Sequence, residues 1–157
     1  SQIDHLTGLL NRRKINEEME KEYQRAMRYG GTFSIILSDL DWFKSINDTH
    51  GHDVGDQVLK EVSDILRSML RTTDSLARWG GEEFLILCPG ATLEASAEVA
   101  QRIQAAIEEN SFSVPRKITI SSGTCEYRSG LSLEVLLVEA DRKLYEAKSL
   151  GRNRVVF

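Results

Sequence analysis

Three observations in the sequence predict an α/β fold of the α+β kind, with a central, mostly antiparallel sheet and flanking helices. Apolar residues recur at helical spacing over 53–70, where Val54, Val58, Val62, Ile65, Leu66 and Met69 share one face, and again over 92–109. Apolar runs of strand length, at 32–40, 75–79, 83–88 and 117–127, separate these segments. Gly80-Gly81 stands between two of the runs, which reads as a β-hairpin with a two-residue glycine turn.

The elements follow in order. Residues 11–28 form a polar, charge-rich helix ended by Gly30-Gly31. "TFSIILSDL" (32–40) is an apolar strand that runs into acids, and "WFKSINDTHGH" (42–52) is a loop. The amphipathic helix 53–70 follows, with Asp53 as its N-cap, and then the hairpin. Helix 92–109 carries Leu93, Val99, Ile103 and Ile107 on one face. "KITISSGTCEY" (117–127) alternates as a half-buried strand. Residues 132–150 are helical and stop at Gly151, and "RVVF" (154–157) is a short extra C-terminal strand. The order is α, then β-α-β-β-α-β, then α-β. The inner block is the split βαβ, ferredoxin-like arrangement, in which the first strand and the hairpin are central neighbours.

The 157 residues make about one domain with a substantial core, and the composition is ordinary for a globular protein. A net charge of −4 argues against a broad nucleic-acid footprint. An anionic ligand must then be held by local cations, backbone N–H groups or metal. Cys88 and Cys125 lie in apolar runs and read as reduced core thiols of a cytoplasmic protein, with a disulfide between them as the alternative. There is no signal peptide and no apolar run long enough to span a bilayer, so no direct membrane contact by this domain is expected. The chain opens on Ser1 and reads as a single domain, 1–157, excised from a larger protein whose own membrane attachment is open.

Chemistry concentrates where strands end. Asp39 and Asp41 close the first strand, and Glu82 and Glu83 follow the glycine pair. The fold brings Asp39 and Glu82 side by side at one sheet edge. Hard oxygen ligands so placed suit Mg²⁺, which takes one or two carboxylates plus substrate phosphates. Two acids can also hold two ions that polarise a phosphoryl group and activate a hydroxyl. Gly80 and Gly81 let a phosphate or ribose approach the backbone, since no Cβ intervenes. A solvated acidic loop beside an ordinary hairpin is the alternative. His50 and His52 read as loop and helix-start residues, because no further ligands stand at metal spacing.

The whole pattern resembles the GGDEF family, the diguanylate cyclases. "DHLTGLLNRR" (4–13), "DLDWFKSINDTHGHDVGDQVL" (39–59), "RWGGEEF" (78–84) and "ADRKLYEAKSLGRNRV" (140–155) look like that family's motifs, in its order, over nearly the whole chain. The resemblance implies a core like the palm of nucleotide cyclases and polymerases. It implies condensation of two GTP into cyclic di-GMP with release of two pyrophosphates, by a homodimer of half-sites. Mg²⁺ is the implied cofactor, with Mn²⁺ as a substitute and two ions per half-site.

Residue roles follow from the match. Asp39 and Glu82, with the Leu40 carbonyl, correspond to metal ligands, and Glu82 is also a candidate base for the ribose 3′-OH. Glu83 is an acid of the motif without a definite task, and Asp41 is either a further acid of the cluster or a loop-capping carboxylate. Asn47 and Asp56 correspond to guanine readers, and one carboxylate can accept from both guanine N1–H and N2–H₂, which adenine lacks. Helix capping is the alternative for Asp56. Leu6, Phe43 and Leu59 correspond to apolar walls of the base pocket, which core packing alone would also explain. The N–H groups of Trp42, Phe43 and Lys44 can form a nest for the β- and γ-phosphates. Lys148 and Arg152 correspond to triphosphate contacts, although Lys148 also suits the C-terminal end of its helix.

Arg71 and Asp74 stand upstream of the glycine pair at the spacing of the family's product-inhibition site, and Arg102 corresponds to a further arginine on bound product. Strand geometry places Asp74 roughly 20 Å from the turn, which makes this a second site. Arginine can meet guanine O6 and N7 bidentately or hold phosphate. The rival functions are a catalytically silent receptor for cyclic di-GMP, a related purine nucleotide cyclase or phosphotransferase, and an interaction domain.

Overall fold

The computed structural model describes all 157 residues. In chain order the elements are α1 (Arg12–Tyr29), β1 (Phe33–Leu40), α2 (Phe43–His50), α3 (His52–Ser68), β2 (Ser75–Arg78), β3 (Glu83–Pro89), α4 (Leu93–Glu109), β4 (Ile120–Glu126), α5 (Leu133–Ser149) and β5 (Val155–Val156). The sheet order is β2-β3-β1-β4-β5, antiparallel throughout except for β5, which runs parallel to β4. The first strand and the hairpin are central neighbours, as the ferredoxin-like reading expects.

Strand alternation divides the core in two. Ile35, Leu37, Leu85 and Leu87 pack beneath α1 and α5, against Ile15, Met19, Leu136 and Leu144. Ile36, Leu40, Phe84 and Ile86 pack on the other face, against Ile46, Leu59, Val62 and Ile103 of α2, α3 and α4. Asn11, Thr92 and Ser132 cap α1, α4 and α5 with side-chain oxygens. The two cysteines belong to opposite faces of the sheet, so no disulfide joins them. Burial pushes the Cys88 thiol up to about 12 and the Cys125 thiol up to about 11, which leaves both protonated and inert.

Four local expectations are corrected. The segment expected as a loop over 42–52 is largely helical, as α2 and the start of α3, with a break at Gly51, where φ is 92°. Its helical signal is one apolar pair, Phe43 and Ile46, too short to show a period. The N-cap of α3 is therefore Gly51, and Asp53 lies inside the first turn. The hairpin turn is a four-residue loop, 79–82, in which the Trp79 and Gly80 N–H groups both donate to the Glu83 carbonyl at 2.8 and 3.3 Å. Neither Gly80 nor Gly81 has positive φ, so the primed two-residue turn is absent. Finally, β4 is buried on both faces rather than half-buried. Its Ser122 bonds Ser38 at 2.7 Å, Thr124 donates to the Ile35 carbonyl, and Gly123 admits α5, since a Cβ there would lie 2.4 Å from the Leu144 nitrogen.

Candidate active site

One edge of the sheet collects the end of β1, the start of β3, the 79–82 loop, the N-terminus of α2 and the C-terminus of α5. Asp39 and Glu83 are cross-strand partners, and the Leu40 N–H donates to the Glu82 carbonyl at 3.2 Å. Asp39 therefore shares an edge with both glutamates, on the face that α5 covers. The Lys148 ammonium, from the last turn of α5, stands 2.7 Å from Asp39 Oδ1. That oxygen is buried, and the ammonium is its one close partner.

Burial pushes the Asp39 carboxyl up to about 6, a rise that Lys148 opposes and that Glu82 and Glu83 reinforce. Glu83 is raised as well, by burial and then by Glu82 and Asp141. No group of three or more His, Cys, Asp or Glu side chains is arranged to hold a metal ion. Asp39 and Glu82 together nevertheless fit an ion that draws the rest of its shell from phosphate oxygens and water. The Lys148 ammonium held at Asp39 shows that this carboxylate takes a cation.

The glycine loop is held from the N-terminal segment. Arg78 donates to the Gly81 carbonyl at 2.7 Å and pairs with Asp4 at 3.3 Å. Arg12 stacks its guanidinium 4.0 Å over the Trp79 ring. These residues went unremarked at the sequence level, although they lie within the first and third motifs. Gly80 leaves room for the protein's own carboxylate, because a Cβ there would lie 2.7 Å from Glu83 Oε1. Gly81 has open space in front of it.

Asp41 is 2 % exposed and fully engaged. It accepts from Ser121 Oγ at 2.6 Å, Thr119 Oγ1 at 2.8 Å and the Asn153 N–H at 3.0 Å. Of the two alternatives left by the sequence, the loop-capping carboxylate describes it, with two loops tied together. The N-terminus of α2 is uncapped by any side chain, and its first internal donor is the Ile46 N–H. The N–H groups of Phe43, Lys44 and Ser45 thus lack helical acceptors. Trp42, left-handed at φ 58°, precedes them. The Lys44 side chain points to solvent and pairs with Asp48 at 2.8 Å.

Asn47 and Asp56 lie on α2 and α3, on either side of the junction at Gly51. Asn47 Oδ1 is buried without a partner, and Asp56 is exposed and caps nothing. Between them lies Gly55, where a Cβ would fall 1.8 Å from Asn47 Oδ1. A glycine inside a helical pattern is the sequence signal for this close approach. Phe43 and Leu59 are buried in one cluster, with Leu6 packed on it.

Arg71 and Asp74 lie at the far end of the sheet. Asp74, whose side chain is 2 % exposed, receives Arg71 Nη2 at 2.8 Å and the Arg71 N–H at 2.9 Å. Arg71 Nη2 also reaches the Pro89 carbonyl, at the opposite end of β3 from Glu83. A cavity of about 380 Å³ beside the pair is lined by Gly8, Leu10, Arg67 and Leu70 among others. Arg102 is exposed on α4 and lines neither this cavity nor its neighbour around Pro89.

Residues 1–154 match the family described as diguanylate cyclase, GGDEF domain. The diguanylate cyclase DgcP of Pseudomonas aeruginosa is 42 % identical over 155 residues, which span 97 % of this chain and 23 % of DgcP. The response regulator PleD of Caulobacter vibrioides is 40 % identical over 159 residues, spanning 98 % of this chain and 35 % of PleD. The chain thus spans about a quarter to a third of these relatives. The crystal structure of the GGDEF domain of DgcB from Caulobacter crescentus, in complex with c-di-GMP, superposes with a TM-score of 0.96 at 32 % identity, over 99 % of this chain and 95 % of that one.

Proposed function

This chain belongs to the GGDEF, diguanylate cyclase, family, and from that premise we propose that it condenses two GTP molecules into cyclic di-GMP and two pyrophosphates. The 3′-oxygen of one GTP attacks the α-phosphorus of the other, pyrophosphate leaves, and the same step in the opposite direction closes the ring. The product has two-fold symmetry, so two copies of the chain supply the two half-sites. The single observation that carries this reading is the cluster of Asp39, Glu82 and Glu83 against Lys148, whose ammonium stands 2.7 Å from the Asp39 carboxylate.

The family is metal-dependent, and Asp39, Glu82 and the Leu40 carbonyl would hold Mg²⁺ or Mn²⁺. When bound, such ions neutralise phosphate charge and lower the pKa of the attacking hydroxyl. Glu82 takes the 3′-OH proton in this reading. Asn47 and Asp56 read guanine, and their unengaged polar atoms suit that task. Leu6, Phe43 and Leu59 wall the base. The α2 N-terminus, Lys148 and Arg152 bind the triphosphate and meet charge as it develops on the leaving pyrophosphate. Gly81 leaves space for the ribose or phosphate.

Arg71 and Asp74 form the product site, with Arg102 as a further contact. Asp74 is engaged with Arg71, so its first role is to hold the guanidinium. We place the domain in the cytoplasm, where GTP is found; no helix is long and apolar enough to cross a membrane. Incubation with GTP and Mg²⁺, with the product identified by mass, tests the proposal. Cyclic di-GMP is expected. Binding of cyclic di-GMP without any turnover, in a chain dimerised by fusion, would establish the receptor reading instead.

A further inference from the structure

Trp42, Arg152 and Asn153 are the three non-glycine residues of the chain with positive φ, at 58°, 65° and 50°. They come from segments distant in sequence and meet at one place. The Arg152 guanidinium lies 4.0 Å from the centroid of the Trp42 ring. Backbone of this kind costs stability and persists where surrounding contacts impose it. Here the contacts are visible. Asp41 binds the Asn153 N–H at 3.0 Å, the Arg152 N–H donates to the Ala147 carbonyl, and Gln104 binds the Asn153 side chain at 2.6 Å. Trp42 is 58 % exposed, so its ring is not held there by a core. As the residue before α2, it stands at the helix end whose N–H groups lack acceptors.

We propose that Trp42 is a positioning residue for the phosphate end of the substrate: its ring fixes the Arg152 guanidinium beside the N-terminus of α2, so the cation meets the triphosphate already ordered. The inference rests on the reading of Arg152 as a triphosphate contact. A free arginine side chain would lose its rotamer freedom on binding. Stacking on an aromatic face removes much of that loss in advance and leaves the edge N–H groups for oxygen ligands.

The test separates positioning from structure through the backbone strain. Glycine accepts φ 58° without cost and removes the ring. Trp42→Gly should therefore melt no lower than the parent yet bind a non-hydrolysable GTP analogue with Mg²⁺ roughly two- to fivefold more weakly by calorimetry, the range of an exposed cation–π contact. Trp42→Ala should show a similar loss of affinity, and Trp42→Phe should stay within about twofold of the parent, since it keeps a ring. In a Trp79→Phe background Trp42 is the remaining one of the two tryptophans. There, Arg152→Met should shift its emission without nucleotide.

Unchanged analogue affinity in the Gly and Ala variants overturns the proposal, as does an equal loss in Trp42→Phe. An emission spectrum indifferent to Arg152→Met overturns it too. A parent that does not bind the analogue overturns the functional reading and this proposal with it. The emission arm tells the failures apart, because it needs no substrate.

Discussion

Replacing Asp39 with Asn should stabilise the metal-free protein at neutral pH while removing its activity. Burial lifts the Asp39 carboxyl from its ordinary 3.8 to about 6 in the folded chain, despite Lys148 at 2.7 Å. The folded state thus holds the proton more tightly than the unfolded state does. The contribution to stability is most favourable at low pH and is withdrawn as pH rises through the interval from the unfolded to the folded pKa. Above the interval the ionised carboxylate costs the fold about 3 kcal/mol at most, at ~1.4 kcal/mol per unit. Asparagine carries no such charge, but it leaves the Lys148 ammonium without its partner. That loss is modest, since Lys148 is 28 % exposed and can turn to water. A net gain of about 1–2 kcal/mol raises the melting temperature by roughly 2–8 °C for a chain of this size.

The assay is calorimetric melting in a chelator, from pH 4 to pH 8, for the parent and Asp39→Asn. The two should nearly coincide at the acid end, separate as pH rises towards about 6, and keep a constant gap beyond it. A parent more stable than the variant at pH 7.5, or a gap independent of pH, would refute the claim that the carboxylate is held against its own preference. Activity with GTP and Mg²⁺ should be lost in the variant at every pH.

Three further outcomes are expected. Gly55→Ala places a Cβ 1.8 Å from Asn47 Oδ1, so it should raise KM for GTP strongly with little change in melting temperature, the side chain being displaced while the helix gains about 1 kcal/mol in propensity; unaltered kinetics would remove Asn47 from the guanine site. Arg71→Ala should relieve inhibition by cyclic di-GMP without lowering the initial rate, and should cost about 1–3 kcal/mol in denaturant melts because the buried Asp74 loses its side-chain partner; unchanged product affinity by calorimetry would exclude Arg71 from the product site. Specific activity should rise with protein concentration, and further when a leucine zipper is fused ahead of Ser1, as expected for two half-sites brought together; constant specific activity where the chain sediments as a monomer would exclude the half-site mechanism.

The element order and the convergence of Asp39 with Glu82 and Glu83 were legible because strand alternation, helical spacing and the split βαβ order are long-range patterns. Features that depend on one or two contacts were not. Helix α2 has a single apolar pair to announce it, so 42–52 reads as a loop. Strand β4 reads as half-buried because Ser121, Ser122 and Thr124 are polar, yet all three bond within the core. Asp41 and Asp39 are identical in sequence terms, and only the fold separates a carboxylate with three hydrogen-bond donors from one facing a single ammonium and two like charges. The pairing of Lys148 with Asp39 was also out of reach, because a resemblance supplies roles towards substrates and not the contacts made without them.

The two ends of β3 are prepared in opposite ways, and the difference suits their proposed tasks. At Glu83 the carboxylates are desolvated and repel one another, so a cation would relieve what the fold imposes. At Pro89 the charges are already matched. Asp74 takes Nε and Nη2 of Arg71, and Nη2 is shared with the Pro89 carbonyl, which leaves Nη1 unengaged on a guanidinium 57 % exposed. A guanine or phosphate arriving there would add to a finished pair without breaking it, and would release little strain. Binding at that end therefore depends on contacts the ligand itself brings, including any from a second copy of the chain. The acids at the other end instead carry a cost that a bound cation would relieve. If product binds there, as proposed, it can come and go without disturbing the acids roughly 20 Å away along the strand, so inhibition from that end would act by holding two chains apart rather than by distorting one.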